Sequence, residues 1–278
     1  MGTVFSVVGT KGGVSKTTVA MGVSIWMSLM KPDEKILLVD GDLHVRSVEL
    51  KMCPTKDATL FDVMIGRRSW RDATYTCQLT SGEDLLYPNL AIMPAGGRFI
   101  SFGRGDVGEK FLRCCRILDR TFSEMREKFS RIIIDTPASV SYEHILLTGV
   151  SDKILYVCEA NDDSISSTLA TAQGLSKLMD VEAAGVVVSK VMKGVHLSTW
   201  VKKASGIAPV LGTIPFDEAV DVAFRENLPV VAAYPKSPAS LALKKIARKL
   251  AEIKVAKKVN VLERLERAIG RVEEFVKK

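Results

Sequence analysis

The chain is predicted to be an α/β protein, a doubly wound and mostly parallel sheet with helices on both faces and a helical C-terminal extension. Three observations predict it. Apolar, β-branched runs alternate with helix-length segments along most of the sequence, which is the signature of right-handed strand–helix–strand crossovers. Runs such as "KILLVD" and "RIIID" are apolar at nearly every position, as strands covered on both faces must be. Finally, three strands run directly into chemically loaded residues: "VFSVV" into a Gly-Lys loop, "KILLV" into Asp40 and Asp42, and "RIII" into Asp135. Open α/β sheets bind ligands at the carboxyl ends of their strands, so these three belong on one edge.

Taken in order, strands are expected at Val4–Val8, Lys35–Val39, Leu90–Met93, Arg131–Ile134, Ile154–Cys158, Gly185–Val188 and Val210–Thr213. After the first comes "VAMGVSIWMSLM", a buried-helix pattern that stops at Lys31-Pro32. Apolar spacing near 3.6 marks further helices over Glu109–Lys128, Ser164–Met179 and Asp217–Glu226. Asp162 and Asp163 would precede or cap the helix near Ser164. Without an internal repeat or low-complexity linker, one α/β domain over residues 1–252 is the economical reading, followed by an amphipathic helix over 253–278.

With 278 residues, 47% of them hydrophobic, the chain can bury a full core. No apolar run reaches the eighteen residues of a membrane span, and the opening strand pattern leaves no signal peptide. The five cysteines (Cys53, Cys77, Cys114, Cys115, Cys158) show no CxxC spacing, so they read as reduced thiols of a cytoplasmic protein. His44, His144 and His196 share no metal-ligand spacing with them, and Trp26 reads as core.

The segment "VFSVVGTKGGVSKTTVAMGV" carries the chemistry. A strand, a glycine turn and a helix opening with Lys-Thr-Thr describe a phosphate cradle. Inward N–H groups and the helix N-terminus attract anions, and Gly12 and Gly13 admit close approach. Lys16 would reach the β- and γ-phosphates of a nucleotide and Thr17 would ligate Mg²⁺. The strict pattern GxxxxGK[ST] fails, because Thr10 and Ser15 stand at its glycine positions.

What the segment does resemble is the KGGxxK[ST] loop of the MinD/ParA family of deviant Walker A ATPases. The resemblance continues through "LLVDGDLHVRSVEL", "RIIIDTPASVS", "VVVSK" and "GTIPFDEAVDVAFRENLPVV" in the family's order, over about residues 1–250. It implies a P-loop ATPase that binds ATP and Mg²⁺ and forms a homodimer when ATP-bound. Lys11 would cross to the partner's phosphates, and Lys16, Thr17 and Thr18, with the backbone of Lys11, Gly12, Gly13, Val14 and Ser15, would hold the chain's own nucleotide. Asp42 would position the attacking water, with Asp40 just ahead of it near the metal and Asp135 in the Mg²⁺ shell. Ser189, Lys190 and Pro215 would flank the base. Three departures stand out. Ser15 replaces the family's glycine, and a positive φ there would cost a serine roughly 1 kcal/mol. Ser189 replaces an asparagine that often reads adenine, and Ser139 replaces the glycine after "DTPA".

The net charge of +7 lies in the tail, since residues 236–278 hold thirteen Lys/Arg against five Asp/Glu and the remainder sums to −1. Val255, Leu262, Ile269 and Val276 recur every seven residues, beside charges of both signs. That stripe suits packing against protein, contact with a membrane surface, or a helix set beside nucleic acid. Lys244, Lys245, Arg248, Lys249, Lys254, Lys257 and Lys258 precede it as a basic stretch able to meet DNA phosphates. Arg46 and Glu49 after the second strand tilt the resemblance toward MinD, and so toward slow, partner-stimulated turnover in the positioning of a division site or cargo. ParA-like DNA segregation is the alternative, and a P-loop metabolic phosphotransferase a further one. Localisation would be cytoplasmic, or peripheral at the membrane or nucleoid.

Overall fold

The computed structural model describes residues 1–52, 57–81, 84–96, 107–138, 141–194, 197–255 and 260–276. Cys53, Ser139, His196, Lys257 and Lys258 lie outside them. The elements run β1 (Thr3–Val8), α1 (Lys16–Met30), β2 (Ile36–Asp40), α2 (Ser47–Met52), α3 (Leu60–Met64), β3 (Tyr75–Thr76), β4 (Thr80–Ser81), β5 (Asp84–Leu85) and β6 (Leu90–Met93). There follow α4 (Val107–Lys128), β7 (Arg131–Asp135), α5 (Tyr142–Gly149), β8 (Lys153–Glu159), α6 (Asp162–Met179), β9 (Glu182–Val191) and α7 (Leu197–Ala204). The chain then forms β10 (Val210–Pro215), α8 (Glu218–Arg225), α9 (Val230–Ala233), α10 (Pro238–Glu252) and α11 (Val261–Val276). Each of the seven expected strands is present. The antiparallel edge strand β3 and the β4–β5 hairpin, too short to show periodicity, were not expected.

The main sheet has the order β10-β9-β8-β1-β7-β2-β6-β3, parallel except for β3. Its alternation explains the near-continuous apolar strands. Phe5, Val7, Ile36, Leu38 and Ile133 face one buried layer with α1 and α10, while Val4, Leu37, Val39, Ile132 and Ile134 face the other with α4 and α5. Helices α1 and α10 approach so closely that a Cβ on Gly22 would lie 2.6 Å from Leu243. Trp26 is buried there as expected, its indole N–H donating to the Ser240 carbonyl at 2.9 Å. Asn161 caps α6 by accepting the Ser164 N–H at 2.8 Å, so Asp162 and Asp163 sit in the first turn rather than at the cap. Among the described residues no helix is long and apolar enough to cross a membrane.

The C-terminal helix folds back onto the body, against α4, α5 and α6. Val261, Leu265 and Ala268 are buried in the core, and Leu265 covers Gly149 so tightly that an added Cβ would lie 2.2 Å away. Arg264 turns inward and donates to the carbonyls of Gly149 at 3.2 Å and Ser151 at 2.6 Å. Burial lowers its pKa, with Asp152 and Asp180 opposing. A face of α11 formed by Val261, Leu265 and Ala268 is thus spent on protein packing, while Val255 and Leu262 of the seven-residue stripe are half-buried. Leu265→Ala is expected to lower unfolding stability by about 2–4 kcal/mol, as truncation of a buried leucine does. An unchanged denaturation midpoint would mean that α11 lies outside the cooperative unit.

Candidate functional site

Strand order builds the site. β7 lies between β1 and β2, in a register that pairs Val7 with Asp135 and Asp135 with Asp40. The loop after β1, Asp40 and Asp135 therefore become neighbours at the carboxyl edge, as the strand endings predicted.

The loop has the curvature of a cradle. Gly13 has φ +84° and Ser15 φ 75°, so the departure at position 15 does place a serine in the left-handed region, with its cost of roughly 1 kcal/mol. A Cβ on Gly12 would meet nothing within 4 Å, whereas one on Gly9 would lie 2.8 Å from the Val157 carbonyl. Close packing thus constrains the base of the loop, and its tip is open. Lys11, Gly12 and Gly13 are exposed, Val14 is buried, and Lys16 is folded in at 8% exposure, its Nζ 3.5 Å from the Lys11 carbonyl oxygen. Burial lowers the Lys16 pKa, while Asp135 and Asp42 oppose this by attracting its charge. Thr18 follows in the first turn of α1, half-buried.

Thr17 Oγ1 donates to Asp135 Oδ2 at 2.6 Å. Asp135 is 1% exposed and its Oδ1 is buried without a hydrogen-bond partner. Burial pushes its pKa up to about 7, with Thr17 and Lys16 pulling it down and Asp42 pushing it up. A buried acceptor with an open lone pair beside a hydroxyl fits a hard, oxygen-seeking cation that takes its other ligands from water and phosphate. Among the described residues no group of three or more His, Cys, Asp or Glu could hold a metal by itself.

Asp40, placed near the metal by resemblance, lies beside Asp135 and is engaged by backbone amides. Its Oδ2 accepts the N–H groups of Val48 at 3.1 Å and Glu49 at 2.9 Å, and its Oδ1 that of Asp42 at 3.2 Å. Oδ2 holds the start of α2 and Oδ1 the amide of Asp42, so Asp40 shapes the segment that carries Asp42. Burial, reinforced by Asp135, pushes its pKa well up, and the amides of Glu49 and Asp42 oppose this. Asp42 remains at the edge, with Oδ1 accepting the N–H groups of His44 at 3.1 Å and Val45 at 3.0 Å.

Ser189 is also redirected. It is fully buried, and its single hydroxyl proton is shared between the carbonyls of Val14 at 2.9 Å and Cys158 at 3.2 Å, so the side chain is engaged by backbone. Lys190, with φ 54°, pairs with Glu159 at 2.7 Å, and its ammonium lies 3.9 Å from where a Gly13 Cβ would be. Pro215 ends β10 in register with Val191. Two partners were invisible in the sequence: Glu159, and Ser167, whose hydroxyl is 2.8 Å from Thr10 Oγ1. Each lies about 150 residues from the loop and belongs to no motif.

The buried carboxylate has a measurable sign. Its folded pKa of about 7 exceeds the ordinary 3.8, so its contribution to stability is complete below the ordinary value and is lost as pH rises through about 7. Asp135→Asn keeps the shape and removes the charge. Without metal or nucleotide, that variant should melt several degrees above the natural chain at pH 8, at about 2–4 °C per kcal/mol, with a smaller gap at pH 5. Equal melting at both pH values would contradict the buried-charge account.

Comparison with known proteins agrees with this geometry. The family model described as an AAA domain matches residues 2–182. An ATP-binding protein of Methanocaldococcus jannaschii is 28% identical, over 86% of this chain and 84% of its own. The antiactivator FleN of Pseudomonas aeruginosa is 26% identical, over 89% and 85%. The septum site-determining protein MinD of Pyrococcus horikoshii, solved as a complex with Mg-ADP, superposes with a TM-score of 0.73 at 25% identity, covering 92% of this chain and 100% of that one. By its matching family model, its relatives and its shared fold, the chain belongs to the MinD/ParA family of deviant Walker A ATPases.

Proposed function

We propose that the chain is a Mg²⁺-dependent ATPase that dimerises face to face around two ATP molecules and serves as a spatial-positioning switch. The observation that carries this reading is the division of labour along one loop, where Lys16 is folded inward and Lys11 stands on the exposed tip with Gly12 and Gly13. A cation on that tip is free to enter a neighbour's site. Delivered in trans, it would neutralise charge developing on the γ-phosphate and make association depend on the triphosphate. Lys16, Thr17 and the loop amides would hold the phosphates, Thr17 and Asp135 the Mg²⁺, which supplies charge neutralisation when bound, and Asp42 the attacking water. Residues 1–252 would form the ATPase unit, and 253–278 a helix that packs on it. Turnover would be slow until a partner protein stimulates it, so that hydrolysis acts as a timer.

Similar proteins are named for septum-site determination and for antiactivation, so the likeness alone does not choose what the switch serves. Docking of Val261, Leu265 and Ala268 in the core favours a MinD-like switch that grips a partner protein over one that inserts its tail into a membrane. A second reading, ParA-like binding to DNA, is favoured by the exposed Lys245, Arg248 and Lys249 of α10. It would show as affinity for arbitrary duplexes that falls steeply with salt.

Light scattering of Asp42→Ala in Mg²⁺-ATP and in ADP tests the engine. The expected result is a dimer in ATP, a monomer in ADP, and no ATP dimer once Lys11→Ala is added. A monomer under every nucleotide, with turnover that depends on a small substrate, would instead select the metabolic phosphotransferase.

A further inference from the structure

We infer that Ser189 is a positioning residue for the phosphate loop and takes no part in selecting the base. This rests on the nucleotide-site reading above. Its hydroxyl, in a fully buried stretch of β9, reaches across 175 residues of sequence to the Val14 carbonyl at 2.9 Å. The Val14–Ser15 peptide is trans, because the described chain contains no cis bond, so its C=O and N–H point in opposite directions. Holding the carbonyl down against β9 therefore turns the Ser15 N–H up, away from the sheet and toward the open side of the loop. Phosphate cradles need their amides turned that way.

The tie also answers a problem created by the sequence. Ser15 occupies φ 75°, ψ 21° with no hydrogen bond from its side chain at the head of α1, a conformation unfavourable to any residue with a Cβ. Strain of this kind persists only where surrounding contacts over-determine it. Three contacts do so here: Ser189 on Val14, Thr10 against Ser167, and Thr17 on Asp135. Only the first acts on the peptide bond that leads into the strained residue. The serines at 15 and 189 thus form a coupled pair. The first removes the conformational freedom of a glycine, and the second supplies the grip that replaces it.

The test is a double-mutant cycle on the full chain, read by titration with fluorescent ATP and GTP analogues in Mg²⁺, with melting curves run alongside. Ser189→Ala should weaken both nucleotides by about 5- to 20-fold, the range set by loss of one buried hydrogen bond, and leave the ATP/GTP preference unchanged. In a Ser15→Gly background the same substitution should cost less than about threefold, since glycine holds a positive φ without help. A preference that shifts severalfold in Ser189→Ala would make the residue a base reader and overturn the proposal. So would an equal loss in both backgrounds, even if every variant melts normally. Natural protein that binds neither analogue would instead refute the nucleotide-site reading, and the proposal with it.

Discussion

The hydrogen bond from Thr17 to Asp135 is the contact on which the rest of the site depends. It joins the first turn of α1 to the end of β7, and it can form only because β7 is inserted between β1 and β2. That insertion also brings Asp40 beside Asp135 and leaves two buried carboxylates near each other with a single buried ammonium, Lys16, close by. A low-dielectric edge rich in carboxylate is unfavourable by itself. Here the cost is contained in two ways. Asp40 is consumed by backbone amides, and Asp135 keeps one oxygen for Thr17 and one in reserve. The reserve is what a cation would use.

The loop above is held from below and left free above. Its base is clamped by Ser189, Ser167 and the Gly9 contacts, and its tip carries Lys11, Gly12 and Gly13 into solvent. Rigidity and exposure are thereby separated along seven residues. Under the proposed reading, an anion would find amides already oriented, which removes part of the entropy cost of ordering the site on binding, and the exposed tip would meet a second molecule.

The basic, amphipathic tail shows how pattern and context divide an argument. A heptad stripe beside mixed charges states that one face will be buried, without saying against what. Gly149 settles the matter locally: its missing side chain makes a slot for Leu265, and the carbonyls of Gly149 and Ser151 take the Arg264 guanidinium. Exposed positive charge remains on α10, on Lys245, Arg248 and Lys249, and on α11, on Arg267 and Arg271.

By itself the sequence determined the α/β class, seven strands to within a few residues, and the three strand endings that meet at one edge. These are properties of periodicity and of local chemistry, and apolar runs ending in Lys or Asp carry them in one dimension. The family was also legible, because the two-lysine loop and the motifs after it are contiguous strings. Tertiary structure decided which way individual side chains turn. Asp40 and Ser189 occupy positions whose motifs suggested metal and base, yet each is drawn aside by backbone groups from distant segments, the start of α2 for one and Val14 for the other. Side-chain direction is set by the hydrogen-bonding partner that burial brings within about 3 Å, and that partner is known only once the strands have been ordered.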